Sequence, residues 1–384
     1  MFTLDAKRIY QPSIFNQEPR ISIESGNIYH LGQQPKSVRH LQAWEYDLVP
    51  GFIDLQINGA FGFDFTSQPE SIWQVGERLP QLGITTCLPT IITSPWEKMQ
   101  TALNVWNNGK PSGYRGTYLP GLHLEGPFLN PKKQGAHSAD LFQFADPQLV
   151  QGWTPQNGVR MVTIAPEIPG AVNLILSLSQ RGIVISAGHS LADVHQARAG
   201  FAAGIRYATH LFNAMTPIQT REPGLAMAIL DHEEISFGMI VDGLHVAPEL
   251  VRLAWHYQGH QRLTLVTDAM AAQGMPAGVY PLGDQQVQVD RFSARLSDGT
   301  LAGSILTPIK ALHNLQNFTK CSFQEALSCW TTNPANVLGL MDRGVICPGA
   351  VADFVLLSSD QEVAATFIAG ELVYQAPWAN LAWD

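Results

Sequence analysis

Short apolar runs alternate with polar segments of helical length through the central part of the chain. An apolar run followed by a helix-length segment is typical of a βα unit whose strand is buried on both faces. Three of the runs follow directly on Gly83, Gly182 and Gly204, and glycine is a common residue at the end of a helix. Eight such units favour an α/β fold of the (β/α)8 TIM-barrel type, although a doubly wound parallel sheet gives the same pattern. The predicted strands are residues 52–55, 84–88, 118–124, 160–164, 183–187, 207–209, 235–241 and 263–267.

Both ends of the chain instead alternate apolar and polar residues in short bursts, which is typical of antiparallel strands. Ser25-Gly26-Asn27 predicts a hairpin turn between two of the N-terminal bursts. Because the two termini of a domain often lie close together, we expect both ends to form one small β-sandwich. The predicted domains are a β-sandwich of residues 1–51 and 344–384 and a barrel of residues 52–343.

Composition narrows the class of protein. The 384 residues are 45% hydrophobic and 14% charged, which is the balance of a globular protein with an ample core. A net charge of −9 without a basic cluster argues against a nucleic-acid partner. No apolar run reaches membrane-spanning length and the N-terminus has no signal-peptide pattern, so we expect no membrane partner. The four cysteines form no C-x-x-C pair, and free thiols of this kind predict a cytoplasmic protein.

Polar side chains follow the carboxyl ends of all eight predicted strands. In a barrel these ends form the active-site face, so we expect the side chains to converge there. Beyond the fifth strand, Ser190-Leu-Ala-Asp193 also predicts a capping box at the start of a helix. The strand-end residues are Gln56, Asn58, Thr90, Glu125, Glu167, His189, His210, Asp242, His245 and Asp268.

Glu125, His189 and His210 come from three different strand ends. One carboxylate and two imidazoles, with an open position for water, have the composition of a catalytic zinc site. We therefore predict a divalent metal, zinc or alternatively iron, cobalt or another ion. The competing interpretation is a set of buried polar groups that satisfy one another. His123, two residues before Glu125 on the same strand face, is expected to lie one layer deeper in the barrel.

Three further residues each have two interpretations. Asp268 either takes a proton from a bound water and returns it to a leaving group, or is another metal ligand or a helix cap. His137, in the long loop after the third strand, is either exposed or a donor that polarises a substrate carbonyl. Arg221 is either solvated or part of an anion-binding pocket with Asn213 and His245.

The chain has no H-E-x-x-H, G-x-S-x-G or Walker sequence, which removes the metalloprotease, serine hydrolase and P-loop classes. Its motifs resemble those of the N-acetylglucosamine-6-phosphate deacetylase family of the amidohydrolase superfamily. They span nearly the whole chain in the order of that family. The matching stretches are Pro50-Gly-Phe-Ile-Asp54, His123-Leu-Glu-Gly-Pro127, Ala165-Pro-Glu167, Ser186-Ala-Gly-His-Ser190, Ala208-Thr-His-Leu-Phe-Asn-Ala-Met215, Arg221-Glu-Pro-Gly-Leu225, Asp242-Gly-Leu-His245, Val266-Thr-Asp-Ala269 and Gly303-Ser304.

The resemblance implies a fold, an activity and an assembly. The fold is a (β/α)8 barrel with a small β-sandwich made from both chain ends. The activity is hydrolysis of an amino-sugar phosphate, N-acetylglucosamine 6-phosphate, to glucosamine 6-phosphate and acetate. The alternatives are N-acetylgalactosamine 6-phosphate or another N-acyl sugar phosphate as substrate and, more distantly, a non-catalytic binding protein. The assembly is a homodimer or homotetramer in which some phosphate contacts cross the subunit interface.

Roles of individual residues also follow from the resemblance. Glu125, His189 and His210 match the metal ligands, Asp268 matches the catalytic acid/base, and His137 is the second catalytic residue. The implied substrate contacts are Ala136, His137, Asn213, Ala214, Arg221, Asp242, His245, Leu301, Ala302 and Gly303.

One departure from the superfamily concerns the number of metal ions. Many amidohydrolases carry H-x-H at the end of the first strand, where it holds a second metal. Here those positions are Gln56 and Asn58, and neutral amides are poor ligands compared with imidazole. The sequence therefore predicts one divalent ion per chain.

Overall fold

The structure is a computed structural model that describes residues 1–10, 20–32 and 39–384. None of the helices in these ranges is both long enough and apolar enough to cross a membrane. The strands are β1 (Phe2–Ile9), β2 (Arg20–Glu24), β3 (Asn27–Leu31), β4 (His40–Pro50), β5 (Phe52–Ile57), β6 (Gly59–Ala60), β7 (Phe63–Asp64), β8 (Ile84–Ile92), β9 (Leu122–Glu125), β10 (Val159–Ile164), β11 (Val184–Ala187), β12 (Ile205–Ala208), β13 (Ser236–Met239), β14 (Leu263–Leu265), β15 (Gly278–Leu282), β16 (Gln285–Val289), β17 (Ala294–Arg295), β18 (Phe354–Leu357), β19 (Val363–Ile368), β20 (Glu371–Gln375) and β21 (Ala382–Trp383). The α-helices are α1 (Ile72–Gly76), α2 (Trp96–Asn107), α3 (Ala171–Gln180), α4 (Val194–Ala203), α5 (Gly224–Asp231), α6 (Pro248–Gln258), α7 (Pro308–Thr319), α8 (Phe323–Ser328) and α9 (Thr332–Leu338).

Eight parallel strands form the central sheet, in the order β14-β13-β12-β11-β10-β9-β8-β5. Every residue of β5, β8 and β9 is buried, as expected for strands that are covered on both faces. The barrel prediction is confirmed. The third strand is shorter than predicted, because Pro120 has no N–H to donate to a ladder, and Tyr118 keeps only an isolated bridge to Thr86.

Hydrogen bonds at the carboxyl ends of β5 and β14 close the barrel between its first and last strands. The Asp268 N–H donates to the Gln56 carbonyl at 3.0 Å, and the Asn58 N–H donates to the Ala269 carbonyl at 2.8 Å. Below them, the fully buried carboxylate of Asp54 accepts hydrogen bonds from the Thr267 hydroxyl at 2.6 Å and from its N–H. We call this set of contacts the closing seam. It fixes the backbone where the last strand presents Asp268.

Both chain ends form a second sheet, in the order β20-β19-β18-β4-β1-β2-β3, with β21 also paired to β4. This sheet has its own core, in which the rings of Phe354 and Phe367 stack at 4.5 Å. The prediction of a separate β domain built from both ends is thereby confirmed. Gly51 alone separates β4 from β5, and a Cβ there would lie 2.1 Å from Thr85 Oγ1, so only glycine fits at this crossing.

The predicted capping box at Ser190 is wrong by three residues. Asp193 is the N-cap of α4, and its side chain and that of Gln196 complete the box. The Ser190 hydroxyl instead donates to Glu167 at 2.7 Å, which keeps this segment in a turn before the helix can begin.

Thr267→Val tests the closing seam, because it removes the hydroxyl donor to Asp54 while keeping the shape of the side chain. We expect the free energy of unfolding to fall by about 1.5–3 kcal/mol, the usual contribution of a hydrogen bond to a charged group. Burial, opposed by the Thr267 hydrogen bond, raises the pKa of Asp54 to about 7. The loss should therefore grow as the pH rises through 7, where the wild-type carboxylate ionises and its bond to the Thr267 hydroxyl becomes charge-assisted.

Urea denaturation followed by fluorescence at pH 6 and pH 8 measures this loss. Thr267→Ser is the matched control, since it keeps the hydroxyl and loses only the methyl group. Equal stability of the Val and Ser variants at both pH values would show that the hydroxyl does not hold the seam.

Candidate active site and metal centre

A cavity of about 400 Å³ opens at the carboxyl ends of the barrel strands. Most of the predicted site residues line it, and they reach it from six strand ends and from the loop of residues 130–141. Lys132, Lys133 and Thr300 also line the cavity but were not predicted, because loop residues of these types carry no signal in a single sequence. The predicted residues in its wall are Asn58, Glu125, Ala136, His137, His189, His210, Asn213, Ala214, His245, Asp268, Leu301 and Gly303.

Glu125 ends β9 and is 3% exposed, so its charge cannot be hydrated by bulk water. Its Oε1 atom lies 3.2 Å from His189 Nε2 and 3.0 Å from His210 Nε2. The amide of Gln56 donates to the same oxygen at 3.2 Å. Burial alone would raise the pKa of Glu125, but the two neighbouring imidazoles, His189 and His210, outweigh it and hold the pKa well below its usual range.

The proton position on His189 indicates that this cluster fits a cation. Its Nδ1 lies 2.7 Å from the Lys133 carbonyl, which can only accept, so Nδ1 carries the proton. In the neutral ring Nε2 then presents a lone pair to the Glu125 carboxylate at 3.2 Å, and two acceptors this close need a positive charge between them. The ligand atoms of Glu125, His189 and His210 all lie within 4.8 Å of one another. The donor set therefore fits a divalent metal, and the Lys133 carbonyl orients one of its ligands.

The backbone takes an uncommon conformation at three of these strand ends. His189, His210 and Asp268 have positive φ angles of 48°, 31° and 48°. Non-glycine residues in the left-handed region each carry strain of about 1–3 kcal/mol, and such residues cluster at functional sites. Nothing in the sequence of these three positions signals this conformation.

Asp268 is the second buried carboxylate in the cavity, and its pKa is shifted in the opposite direction to that of Glu125. Burial, followed by the charge of Glu125, raises the pKa of Asp268 to about 6. When the pKa values of two neighbouring carboxyl groups are shifted in opposite directions, one group stays ionised and the other can take up and release a proton. The structure thus gives Asp268 the properties of a general base and acid.

His137 lies next to this pair on the loop of residues 130–141. Its Nδ1 accepts from the Thr93 N–H at 3.3 Å, so the proton of the neutral ring is on Nε2, which lies 3.8 Å from Glu125 Oε2. Burial and the nearby His189 lower the pKa of His137 to about 3, so the ring is a neutral donor. The next residue, Ser138, fixes the loop by donating to Asp284 Oδ2 at 2.6 Å.

His123 lies one layer below the metal cluster, without exposure to the cavity. Its Nε2 is 2.7 Å from Thr163 Oγ1, and its Nδ1 is 3.3 Å from the Leu55 carbonyl. Burial lowers the pKa of His123 to about 4. His123 is therefore a neutral ring, and its hydrogen bonds hold β9 in place inside the barrel.

Six of the predicted residues do not line the cavity, namely Gln56, Thr90, Asp242, Ala302, Arg221 and Glu167. Asp242 accepts from His245 Nδ1 at 2.7 Å and so orients that ring. Ala302 is buried behind the wall. Arg221 lies in an exposed segment away from the cavity of its own chain. Glu167, a predicted strand-end residue, accepts from Leu191 N at 2.6 Å and from Ser190, so it supports a turn and faces away from the cavity.

Glu125→Gln tests the metal cluster, because it removes the charge while keeping the shape. We expect about one divalent ion per wild-type chain and a metal content at least about tenfold lower in the variant. Elemental analysis after equal dialysis measures this difference. His245→Asn is the control, since His245 lines the same cavity without touching the cluster, and it should keep its metal. Equal metal content in the Gln variant and the wild type would remove Glu125 from the ligand set.

Comparison with known proteins agrees with this geometry. Residues 48–373 match the amidohydrolase family. The human N-acetylglucosamine-6-phosphate deacetylase is 40% identical over 356 residues, which cover 87% of this chain and 85% of the human protein. The Bacillus subtilis protein of the same name is 37% identical over 334 residues, covering 85% of this chain and 84% of that protein.

Solved structures give the same result. The crystal structure of N-acetylglucosamine-6-phosphate deacetylase from Thermotoga maritima has a TM-score of 0.88 and 34% identity, covering 97% of this chain and all of that one. A mutant of the Mycobacterium smegmatis enzyme in complex with N-acetyl-D-glucosamine-6-phosphate has a TM-score of 0.88 and 33% identity, covering 97% of this chain and 99% of that one. The chain therefore belongs to the N-acetylglucosamine-6-phosphate deacetylase family of amidohydrolases.

Proposed function

We propose that this protein hydrolyses the acetamide of N-acetylglucosamine 6-phosphate to glucosamine 6-phosphate and acetate. The observation that carries the proposal is the pair of buried carboxylates in one cavity, with Glu125 held as an anion among imidazoles and the pKa of Asp268 raised to about 6. Membership of the family supplies the substrate. The alternative substrates are the galacto epimer and another N-acyl sugar phosphate. The residues that line the cavity do not discriminate between these sugars and the proposed one.

Glu125, His189 and His210 would hold one divalent metal ion, for which zinc is our proposal and iron or cobalt the alternatives. When bound, such an ion polarises the acetamide carbonyl and lowers the pKa of a water molecule. Gln56 and Asn58 support a single ion, because both amide nitrogens donate hydrogen bonds to carboxylates and a neutral amide oxygen is a poorer metal ligand than imidazole.

Asp268 and His137 would carry the proton transfers and the polarisation. Asp268 removes a proton from the attacking water, and then delivers it to the amine nitrogen as the C–N bond breaks. A pKa near 6 suits both steps, because the group accepts and releases a proton close to neutral pH. The Nε2–H of His137 donates to the acetamide oxygen, where negative charge develops in the tetrahedral intermediate.

His245 would bind the phosphate at the other end of the cavity. Its Nδ1–H donates to Asp242, and a second proton on Nε2 would make the ring a cationic donor to a phosphate oxygen, while Lys132 and Lys133 add positive charge to the wall. Asn213, Ala214, Leu301 and Gly303 also line the cavity. Asn213 and Ala214 would border the phosphate, and Leu301 and Gly303 would border the sugar.

A homodimer or homotetramer is part of the proposal. Helix α6 exposes Leu250, Leu253 and Tyr257, which share one face at i, i+3 and i+7, and an exposed apolar face of this kind favours association. Arg221 is exposed as well, and we propose that it reaches the phosphate in the partner subunit. The four cysteines are free thiols, which supports a cytoplasmic location.

Acetate release from N-acetylglucosamine 6-phosphate, compared between the wild type and Asp268→Asn, tests the chemistry. The asparagine keeps the shape but cannot carry the proton, so we expect turnover to fall by at least about 100-fold with the metal content unchanged. Near-normal turnover in the variant would contradict the role of Asp268. Faster wild-type release from the galacto epimer would replace the proposed substrate by that alternative.

His245→Asn tests the phosphate contact. Loss of a charge-assisted hydrogen bond of about 1.5–3 kcal/mol should raise KM for the phosphorylated substrate about ten- to hundredfold. Steady-state kinetics on N-acetylglucosamine 6-phosphate and on unphosphorylated N-acetylglucosamine measure the effect. The unphosphorylated sugar is the internal control, and an equal rise in KM for both sugars would place His245 elsewhere than at the phosphate.

A further inference from the structure

Asn58 stands at the end of the first barrel strand and is directly bonded to the proton carrier. Its Nδ2 donates to Asp268 Oδ1 at 2.7 Å, and the residue is 2% exposed. While Asp268 is ionised the amide cannot be turned round, because its Oδ1 would then face a carboxylate oxygen at the same distance. The direction of this hydrogen bond is therefore fixed by the chemistry of the two groups.

The backbone on both sides holds these two side chains in register. The Asn58 N–H donates to the Ala269 carbonyl, and the Asp268 N–H donates to the Gln56 carbonyl. Both bonds belong to the closing seam, so the two Cα positions cannot move apart without opening the barrel. The 2.7 Å contact is thus set by the fold before any substrate binds.

The two oxygens of the Asp268 carboxylate are consequently unequal. Oδ1 accepts the Asn58 amide, whereas Oδ2 has no hydrogen bond within the part of the chain that the structure describes. A carboxylate oxygen that already accepts a strong hydrogen bond is a weaker base than a free one. Oδ2 is therefore the oxygen that takes up a proton more readily.

We propose that Asn58 is a positioning residue that assigns different tasks to the two oxygens of Asp268. Oδ1 anchors the carboxylate, and Oδ2 carries the proton. In the hydrolysis an O–H bond of the attacking water breaks and an O–H bond forms at Oδ2. That bond then breaks as the amine nitrogen gains the proton and the C–N bond is cleaved. This inference rests on the proposed deacetylation.

The other end of the Asn58 amide supports a role at the site. Its Oδ1 is buried and has no hydrogen-bond donor among the described residues. A buried acceptor left without a donor is destabilising, and packing alone would not select it. Asn58 lines the cavity, so a water there can satisfy this oxygen.

Asn58→Ala and the similar-sized Asn58→Leu test the proposal, because both remove the donor to Asp268 and neither adds a polar group. We expect kcat to fall about 10- to 100-fold, as for other groups that orient a reacting residue, while KM stays within about twofold and the metal content is unchanged. In the Asp268→Asn background the Asn58→Ala change should cost nothing further, because Asn58 acts only through the Asp268 carboxylate.

Asn333→Ala is the matched control. Asn333 is also a buried amide and donates to the Leu263 carbonyl at 2.7 Å, at the opposite end of the same last strand, and its loss should leave kcat unchanged. An Asn58→Ala kcat within about twofold of the wild type, a loss that appears only in KM, or losses that multiply in the double variant would each overturn the proposal. A wild type that releases no acetate overturns the proposed function, and this inference with it, whereas an active wild type with an equally active Asn58→Ala overturns this inference alone.

Discussion

A carboxylate enclosed at the end of β9 is the constraint on which the rest of the site depends. The charge of Glu125 is out of reach of bulk water, and an unpaired buried charge costs several kcal/mol. Groups from three other strands lie within hydrogen-bond distance of one oxygen of this carboxylate, Oε1: they belong to His189, His210 and Gln56. Each lies on a different strand end, so the cluster can form only when the strands are in their correct order around the barrel.

The fixed charge of Glu125 also determines the chemistry of its neighbour. Because Glu125 stays ionised, its field adds to burial and raises the pKa of Asp268. The same enclosure keeps His137 neutral, and a neutral imidazole with its proton on Nε2 is a hydrogen-bond donor toward the cavity. Burial thus sets the protonation of both groups, with the charge of Glu125 adding to its effect on the pKa of Asp268 and opposing its effect on the pKa of His137.

The sequence allowed the fold and the centre of the site to be predicted, because buried strands that end on charged residues have few explanations apart from a site. It did not reveal which way each side chain turns. Glu167 follows its strand just as Glu125 does, yet it supports the turn at Ser190 and Leu191. The left-handed backbone of His189 leaves no mark in the sequence. Arg221 is exposed and does not line the cavity of its own chain, and the order of residues in one chain does not encode the surface that a second copy would provide.

The closing seam has a consequence for the synthesis of the protein. Asp54 and Thr267 are 213 positions apart, so the contact between them waits until more than half of the chain has left the ribosome. A nascent chain that stops before residue 267 already contains Glu125, His189 and His210 but has neither the Thr267 donor of the seam nor Asp268. The residues of the metal cluster and the contact that closes the barrel around them are therefore synthesised at different times, and the cluster waits for the last strand before its enclosure is complete.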